Sequence, residues 1–296
     1  MAPSSLSIES LFNVQNRVAV ITGGGSGLGE MMAHAWVANG GRVIIASRKE
    51  KALSQVCDAL NTLGTGKAEY VVGDVSSKAG CVAIADEIKK RVDKIHVLVN
   101  NSGVTWGAPY EDVPEKEGWD RVLSWQSAIK LTAVPFKKGL NVKSVFYMTV
   151  ELTPLLAKDA SNLDPGRVII ISSVAGLTSI SESTGLGATG HGLWSYNASK
   201  AAAISLSNNL AVSLGPKFIT VNAICPGVYP SRMTAYGMKT ASNALAQSHP
   251  MGRFGSPEDI SGLLLFLASR AGAHISANYI VTDGGSLAAG TGYTKL

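Results

Sequence analysis

The chain has 296 residues, of which 26 are Lys or Arg and 21 Asp or Glu, giving a net charge of +5; 46% are hydrophobic and 32 are glycine. That length supports a full hydrophobic core, and the composition excludes a disordered or fibrous chain. The basic residues are scattered, with small groups at Lys89, Lys90, Arg91 and Lys94 and at Lys137 and Lys138. These read as solvated helix faces and exclude a nucleic-acid partner.

Apolar, β-branched runs alternate with longer segments of helical period. Residues 17–22 (RVAVIT) predict a strand, followed by a helix over 27–39; 42–47 predict the second strand, followed by a helix over 49–62. Strands over 68–74 and 95–100 flank a helix over 76–92. Further on come a helix over 142–157, a strand over 167–172, a helix over 195–215 and a strand over 218–224. A helix over 257–269 and a last strand over 278–285 complete the pattern. Continuous apolar strands separated by helices predict a parallel sheet buried on both faces and wound by right-handed crossovers. The expected fold is α/β: one doubly wound, Rossmann-type parallel sheet of about seven strands, flanked by helices on both faces. With no linker or repeat, residues 1–296 form one expected domain with an N-terminal arm (1–16) and a C-terminal tail (288–296).

Cys57, Cys81 and Cys225 are odd in number and far apart, with no C-x-x-C, so reduced thiols in a cytoplasmic setting are expected. The first 16 residues lack a charged region followed by an apolar core, and no apolar run is long enough to span a bilayer. Neither a secretory signal nor a membrane partner is expected. Thr294-Lys295-Leu296 is a near match to the peroxisomal Ser-Lys-Leu address, with threonine in the first place.

Chemistry-bearing residues fall at strand ends. Gly23, Gly27 and Gly29 in TGGGSGLG (22–29) give G-x-x-x-G-x-G where the first strand turns into the first helix. Such a turn lets backbone and a helix N-terminus approach a pyrophosphate, although a glycine-rich turn can also be only a turn. The second strand ends in Ser47-Arg48-Lys49, where an acidic partner for a ribose 2′-hydroxyl would otherwise stand. A basic pair there suits a 2′-phosphate, which favours NADP(H) over NAD(H), against the simpler reading of two exposed helix-start cations. Asp74 in GDVSS (73–77) is placed at an adenine, and Asn100 and Gly103 in NNSG (100–103) at a pocket floor. Tyr196 and Lys200 in SYNASK lie four residues apart, on one helix face. A lysine beside a phenol favours the phenolate and lowers its pKa; an incidental surface pair is the other reading.

The glycine turn, Asn100-Asn101-Ser102-Gly103, Ser172-Ser173 after the fifth strand and Tyr196-x-x-x-Lys200, in one order on one fold, resemble the short-chain dehydrogenase/reductase family. The likeness runs from Arg17 to about Leu287 and includes Pro226-Gly227, PMGRFGSPEDI (250–260) and VTDGG (281–285). Within it, the Ser-Arg-Lys end of the second strand and PGVYPSRMTAYG (226–237) resemble 3-oxoacyl reductases of the rhamnolipid type and fungal ketoreductases. The resemblance implies an NADPH-dependent reductase of a 3-oxoacyl, polyketide-like or other hydrophobic ketone. Alternatives are an NADP-linked polyol or steroid alcohol dehydrogenase and a non-catalytic NADP(H)-binding module.

By the same resemblance Tyr196 is the proton donor, Lys200 its pKa control and ribose anchor, Ser173 the hydroxyl that polarises the substrate oxygen, and Asn141 the residue that orients a relay water. The cofactor is expected on Gly23, Ser26, Gly27, Leu28, Gly29, Ser47, Arg48, Lys49, Asp74, Val75, Asn101, Ser102, Gly103, Tyr196, Lys200, Pro226, Gly227, Val228 and Ser231, with no metal. A homodimer or homotetramer is expected, because in this family the helices bearing Asn141 and Tyr196 commonly pair between subunits.

Two stretches depart from the family pattern. Tyr196 follows Ser173 by 23 residues, which leaves an extended active-site loop at 177–194 with Glu182, His191 and Trp194 as candidate substrate contacts or solvated loop residues. Asn141 follows Trp119 by 22 residues; removing 125–139 would join WDRVLS to LNVKSVF and restore the usual spacing. That insert reads either as a lid or interface loop or as a stretch absent from the working messenger. The segment 228–256 covers the substrate, and its Tyr229, Met233, Tyr236 and Met238 suggest an apolar ligand.

Overall fold

A computed structural model of the protein describes residues 6–123, 140–182, 190–235, 246 and 249–290. The insert at 125–139, part of the 177–194 loop, Tyr236, Met238 and Thr294-Lys295-Leu296 lie outside the described residues.

Seven strands form one parallel sheet: β1 (Val18–Thr22), β2 (Arg42–Ser47), β3 (Lys67–Val72), β4 (Val97–Asn100), β5 (Gly166–Ile171), β6 (Ile219–Pro226) and β7 (Asn278–Thr282). Their order is β3-β2-β1-β4-β5-β6-β7, and every pairing is parallel. Among the described residues the helices in chain order are α1 (Ile8–Phe12), α2 (Gly27–Ala38), α3 (Glu50–Asn61), α4 (Lys78–Lys89), α5 (Lys143–Ala157), α6 (Trp194–Leu214), α7 (Pro257–Ala268) and α8 (Ser286–Ala289). One face of the sheet buries Met32 and Trp36 of α2, Leu53 and Val56 of α3 and Leu264 of α7. The other buries Ile84 and Ile88 of α4, Met148 and Leu152 of α5 and Leu210 of α6. Central β4 and β5 are buried along their whole length because helices cover both faces, which is why they read as unbroken apolar runs. No helix among the described residues is long and apolar enough to cross a membrane.

The strand order reverses between β1 and β4, and that switch point opens a crevice at the strands' C-terminal ends. Most predicted elements appear within two or three residues of their expected bounds. The last strand stops at Thr282 rather than at 285, because Gly284 and Gly285 take φ of +64° and +85° and turn the chain out of the sheet. Helices α1 and α8, with 5 and 4 residues, were not expected; each is too short to show a period. Ser7 caps α1 by accepting from the Ser10 amide, and Phe12 packs on Phe266 of α7 with ring centroids 6.4 Å apart.

Candidate active site

The crevice is a cavity of about 890 Å³, and its walls carry nearly all the residues that the sequence singles out. Of the expected cofactor set, all but Gly29 line it. Gly29 stands behind the turn as its packing partner: a Cβ there would lie 2.4 Å from the Gly23 carbonyl oxygen and 2.6 Å from Asn101 Nδ2. Gly23 and Gly27 adopt φ of +70° and +56°, in the left-handed region that glycine tolerates. Neighbouring strands brace the turn. Thr22 Oγ1 accepts from the Asn101 and Ser102 amides at 3.1 Å each, and Asn101 Nδ2 donates to the Thr22 and Gly23 carbonyls at 3.0 and 3.2 Å. Helix α2 then begins at Gly27, with its free N–H groups facing the cavity end.

At the exit of β2, Arg48 and Lys49 are exposed, line the cavity and form no ion pair with a described residue. Asp74 and Val75 follow β3 on the same wall, and Asp74 Oδ1 accepts from the Ser76 amide at 3.0 Å. Asn100, expected on the pocket floor, is instead buried behind it and donates through Nδ2 to Thr149 Oγ1 at 3.2 Å. As the last residue of β4 its side chain points into the α5 side of the sheet, and Gly103 alone of that pair lines the cavity.

The other end of the cavity holds Ser173, Tyr196 and Lys200. Two adjacent serines follow β5, and hydrogen bonding separates them. Ser172 Oγ donates its proton to the Lys200 carbonyl at 2.8 Å, so its hydroxyl is spent inside the fold. Ser173 Oγ accepts from the Ala175 amide at 3.1 Å and keeps its proton for a partner in the cavity. Lys200 is buried; its Nζ donates to the Ile171 carbonyl at 2.8 Å and sits 5.5 Å from the centroid of the Tyr196 ring. Burial pushes its pKa down to about 8.

The Tyr196 phenol departs from the sequence expectation. Its pKa lies above the ordinary value, not below it: burial raises it, and a hydrogen bond to Ser173 opposes this only in part. The neighbouring ammonium lies over the ring face and is itself held by a carbonyl, so loss of water outweighs its attraction for a phenolate.

Asn141, just before α5, does not line the cavity. It is buried, and its carboxamide brackets one residue of the β4 exit loop: Oδ1 accepts from the Val104 amide and Nδ2 donates to the Val104 carbonyl, both at 2.9 Å. Glu182, His191 and Trp194 also stand outside the described lining. An antiparallel bridge between Ala108 and Gly192 fixes the end of the long loop against residues 107–110. It turns the His191 ring to the Gly107 carbonyl at 3.3 Å and the Trp194 ring edge-on to Tyr110 at 5.5 Å. The rest of the lining includes the loop residues Val104, Thr105, Leu140, Thr178, Ile180 and Leu193, which carry no periodic signature, and Asn197 of α6. Tyr229 and Met233 line the cavity as expected; the Tyr229 hydroxyl is tied to Thr282 Oγ1 at 2.7 Å.

A family model described as short chain dehydrogenase matches residues 17–241. The chain is 37% identical over 276 residues to the "Rhamnolipids biosynthesis 3-oxoacyl-[acyl-carrier-protein] reductase" of Pseudomonas aeruginosa, which covers 93% of this chain and 97% of that protein. It is 35% identical over 290 residues to "Short-chain dehydrogenase/reductase PhomF" of Diaporthe leptostromiformis, over 96% and 95% of the two chains. Among solved structures, a "Pseudomonas aeruginosa RhlG/NADP active-site complex" superposes with a TM-score of 0.80 at 36% identity, covering 94% of this chain and 98% of the other.

Proposed function

The chain belongs to the short-chain dehydrogenase family and is an oxidoreductase of that type, and from this premise we propose that it reduces a hydrophobic ketone with NADPH, Tyr196 giving the proton. The observation that carries this reading is the layout of one cavity. Ser173, Tyr196 and Lys200 meet at one end, and a glycine turn with Arg48 and Lys49, which form no ion pair with a described residue, forms the other.

The residues fit an NADP-type cofactor on the structure's own terms. The α2 N-terminus offers free N–H groups beside the glycine turn, and the β2 exit presents two exposed cations that form no ion pair with a described residue. The similar structure of an RhlG/NADP active-site complex supports the same assignment. When bound, NADPH supplies the hydride that reduces the carbonyl carbon. The chain's residues do the rest. Ser173, its hydroxyl proton uncommitted to the backbone, donates to the ketone oxygen and polarises the carbonyl. Tyr196, kept protonated by burial, gives its phenolic proton to the same oxygen, which leaves as an alcohol. The Lys200 ammonium stabilises the phenolate left behind until water returns the proton. Asn141 contributes by fixing the Val104 loop.

Val104, Leu140, Ile180, Leu193 and Met233 make the substrate end apolar. With the likeness to a 3-oxoacyl reductase, this supports a 3-oxoacyl or polyketide-like ketone. Phe146 and Val150 on α5 and Val212 on α6 are exposed, which supports a homo-oligomer formed through these helices. The free, buried Cys57, Cys81 and Cys225 support a cytoplasmic setting.

Mixing purified protein with NADPH and a panel of 3-oxoacyl thioesters, β-keto esters and aromatic ketones tests the reading. Loss of NADPH absorbance with matching alcohol formation is expected, and NADPH binding without turnover on any ketone would contradict it. Replacing Arg48 and Lys49 together by alanine is expected to weaken NADPH binding roughly 30-fold or more and NADH binding less than about twofold, since only NADPH carries the 2′-phosphate. Fluorescence titration of both cofactors checks this; equal losses would refute the 2′-phosphate assignment. Ser173→Ala is expected to lower kcat roughly 10²-fold, as loss of one oxyanion donor does, and Ser172→Ala less than about tenfold. The opposite ranking in steady-state kinetics would reassign the polarising hydroxyl.

A further inference from the structure

Behind the catalytic face lies a second hydrogen-bonded unit, and its central residue is Ser199. Ser199 is fully buried in α6, between Tyr196 and Lys200. Its Oγ donates to the Tyr196 carbonyl at 2.7 Å and accepts from Asn141 Nδ2 at 2.9 Å. Asn141 in turn brackets Val104, whose side lines the cavity. Thus one serine hydroxyl and one carboxamide join three separate elements: the β4 exit loop, the start of α5 and the catalytic turn of α6.

Satisfaction of the donors makes this unit specific. Asn141 Nδ2 has two protons, one given to the Val104 carbonyl and one to Ser199. Oδ1 accepts from the Val104 amide, so the carboxamide has no remaining proton for a ligand and acts by fixing geometry. Ser199 has one proton, and it goes to the backbone of the proposed proton donor. The unit also abuts the lysine: a Cβ on Gly103 would stand 3.4 Å from Asn141 Oδ1 and 3.5 Å from Lys200 Nζ.

We propose that Ser199 is a positioning residue for the reduction, coupling Asn141 and the Val104 loop to the backbone of Tyr196. This rests on the ketone-reductase reading above. Without the hydroxyl, a buried Asn141 proton and the link to the Tyr196 carbonyl are both lost, and the phenol is free to drift from its place beside Ser173. Geometry at the reacting oxygen sets the chemical step, whereas Arg48, Lys49 and the glycine turn share no hydrogen bond with Ser199, Asn141 or Val104 among the described residues.

Single-turnover reduction by Ser199→Ala, at saturating NADPH and ketone, tests the proposal. The rate is expected to fall roughly tenfold to hundredfold, the penalty of a buried unpaired donor, with NADPH affinity within about twofold of the parent. Ser199→Thr, which keeps the hydroxyl, is expected to recover most of the rate. Combining Ser199→Ala with Asn141→Ala is expected to leave the rate within about twofold of the slower single variant, because both break one linkage. If Ser199→Ala does not fold, Ser199→Cys keeps the volume, weakens both bonds and takes its place. An unchanged rate in Ser199→Ala, failure of Ser199→Thr to recover it, or fully multiplied losses in the double variant would each overturn the proposal while leaving the ketone-reductase reading standing. No turnover by the unsubstituted protein would overturn both.

Discussion

Tyr196→Phe is expected to reduce ketone turnover roughly 10³-fold or more while NADPH affinity changes less than about threefold. Among the described residues at the Ser173 end, the phenol is the group proposed to give its proton to the carbonyl oxygen at neutral pH. Ser173 shares its hydroxyl with a backbone amide and holds its proton too tightly to release it, and the Lys200 ammonium is engaged by the Ile171 carbonyl. Phenylalanine keeps the ring that packs against the ammonium and deletes only the hydroxyl. Binding and fold should therefore survive, and the loss should fall on kcat. Stopped-flow kinetics with parallel fluorescence titration measures both quantities. A Tyr196→Phe variant retaining more than about a tenth of the parent rate would assign the proton to another group, since general acid catalysis contributes roughly 10²–10⁴-fold.

The second large effect is expected at Lys200, and its sign differs between activity and stability. The ammonium is buried, and its pKa is lowered from the ordinary 10.5 to about 8. Ketone reduction is therefore expected to hold at neutral pH and to decline as pH rises through about 8, where Lys200 loses the charge that stabilises the phenolate. Lys200→Met should lower kcat roughly 10²-fold or more and abolish that alkaline limb. Stability runs the other way. A lysine whose folded pKa lies below its unfolded pKa destabilises the fold wherever both states are charged, here below about pH 8. The penalty is relieved as pH rises from about 8 to 10.5. A shift of that size corresponds to at most roughly 3 kcal/mol, reduced in Lys200→Met by loss of the bond to Ile171. The inactive Lys200→Met variant should therefore unfold at a temperature a few degrees higher than the parent at neutral pH, about 2–4 °C per kcal/mol for a chain of this size. Calorimetry and a pH–rate profile check both halves. A lower unfolding temperature, or an unshifted alkaline limb, would show that Lys200 is not a strained cation.

The parallel sheet was legible because burial on both faces forces unbroken apolar strands such as RVIIAS and IHVLVN. The positions of Gly23, Arg48 and Asp74 were legible for the same reason: a strand's end is visible in the sequence, and the crevice lies at strand ends. What the sequence could not supply was the partner of each polar atom. Nothing in the string SS distinguishes Ser172 from Ser173; the Lys200 carbonyl does. The asparagine in NVKSVF was expected to orient water; the partners of its side chain, Val104 and Ser199, could not be read from the string. Glu182, His191 and Trp194 were candidates because the loop is long, but the Ala108–Gly192 bridge settles where its end packs. The expected lowering of the Tyr196 pKa followed from a charge four residues away, and a one-dimensional spacing carries no information about desolvation.

The proposed reaction makes one atom traceable. With NADPH deuterated at the transferable nicotinamide position and a reducible 3-oxoacyl thioester, the alcohol product is expected to carry one deuterium at its carbinol carbon. Tyr196→Phe should form almost none of it under the same conditions. An alcohol formed without deuterium, or labelled product accumulating at the parent rate in Tyr196→Phe, would contradict the account.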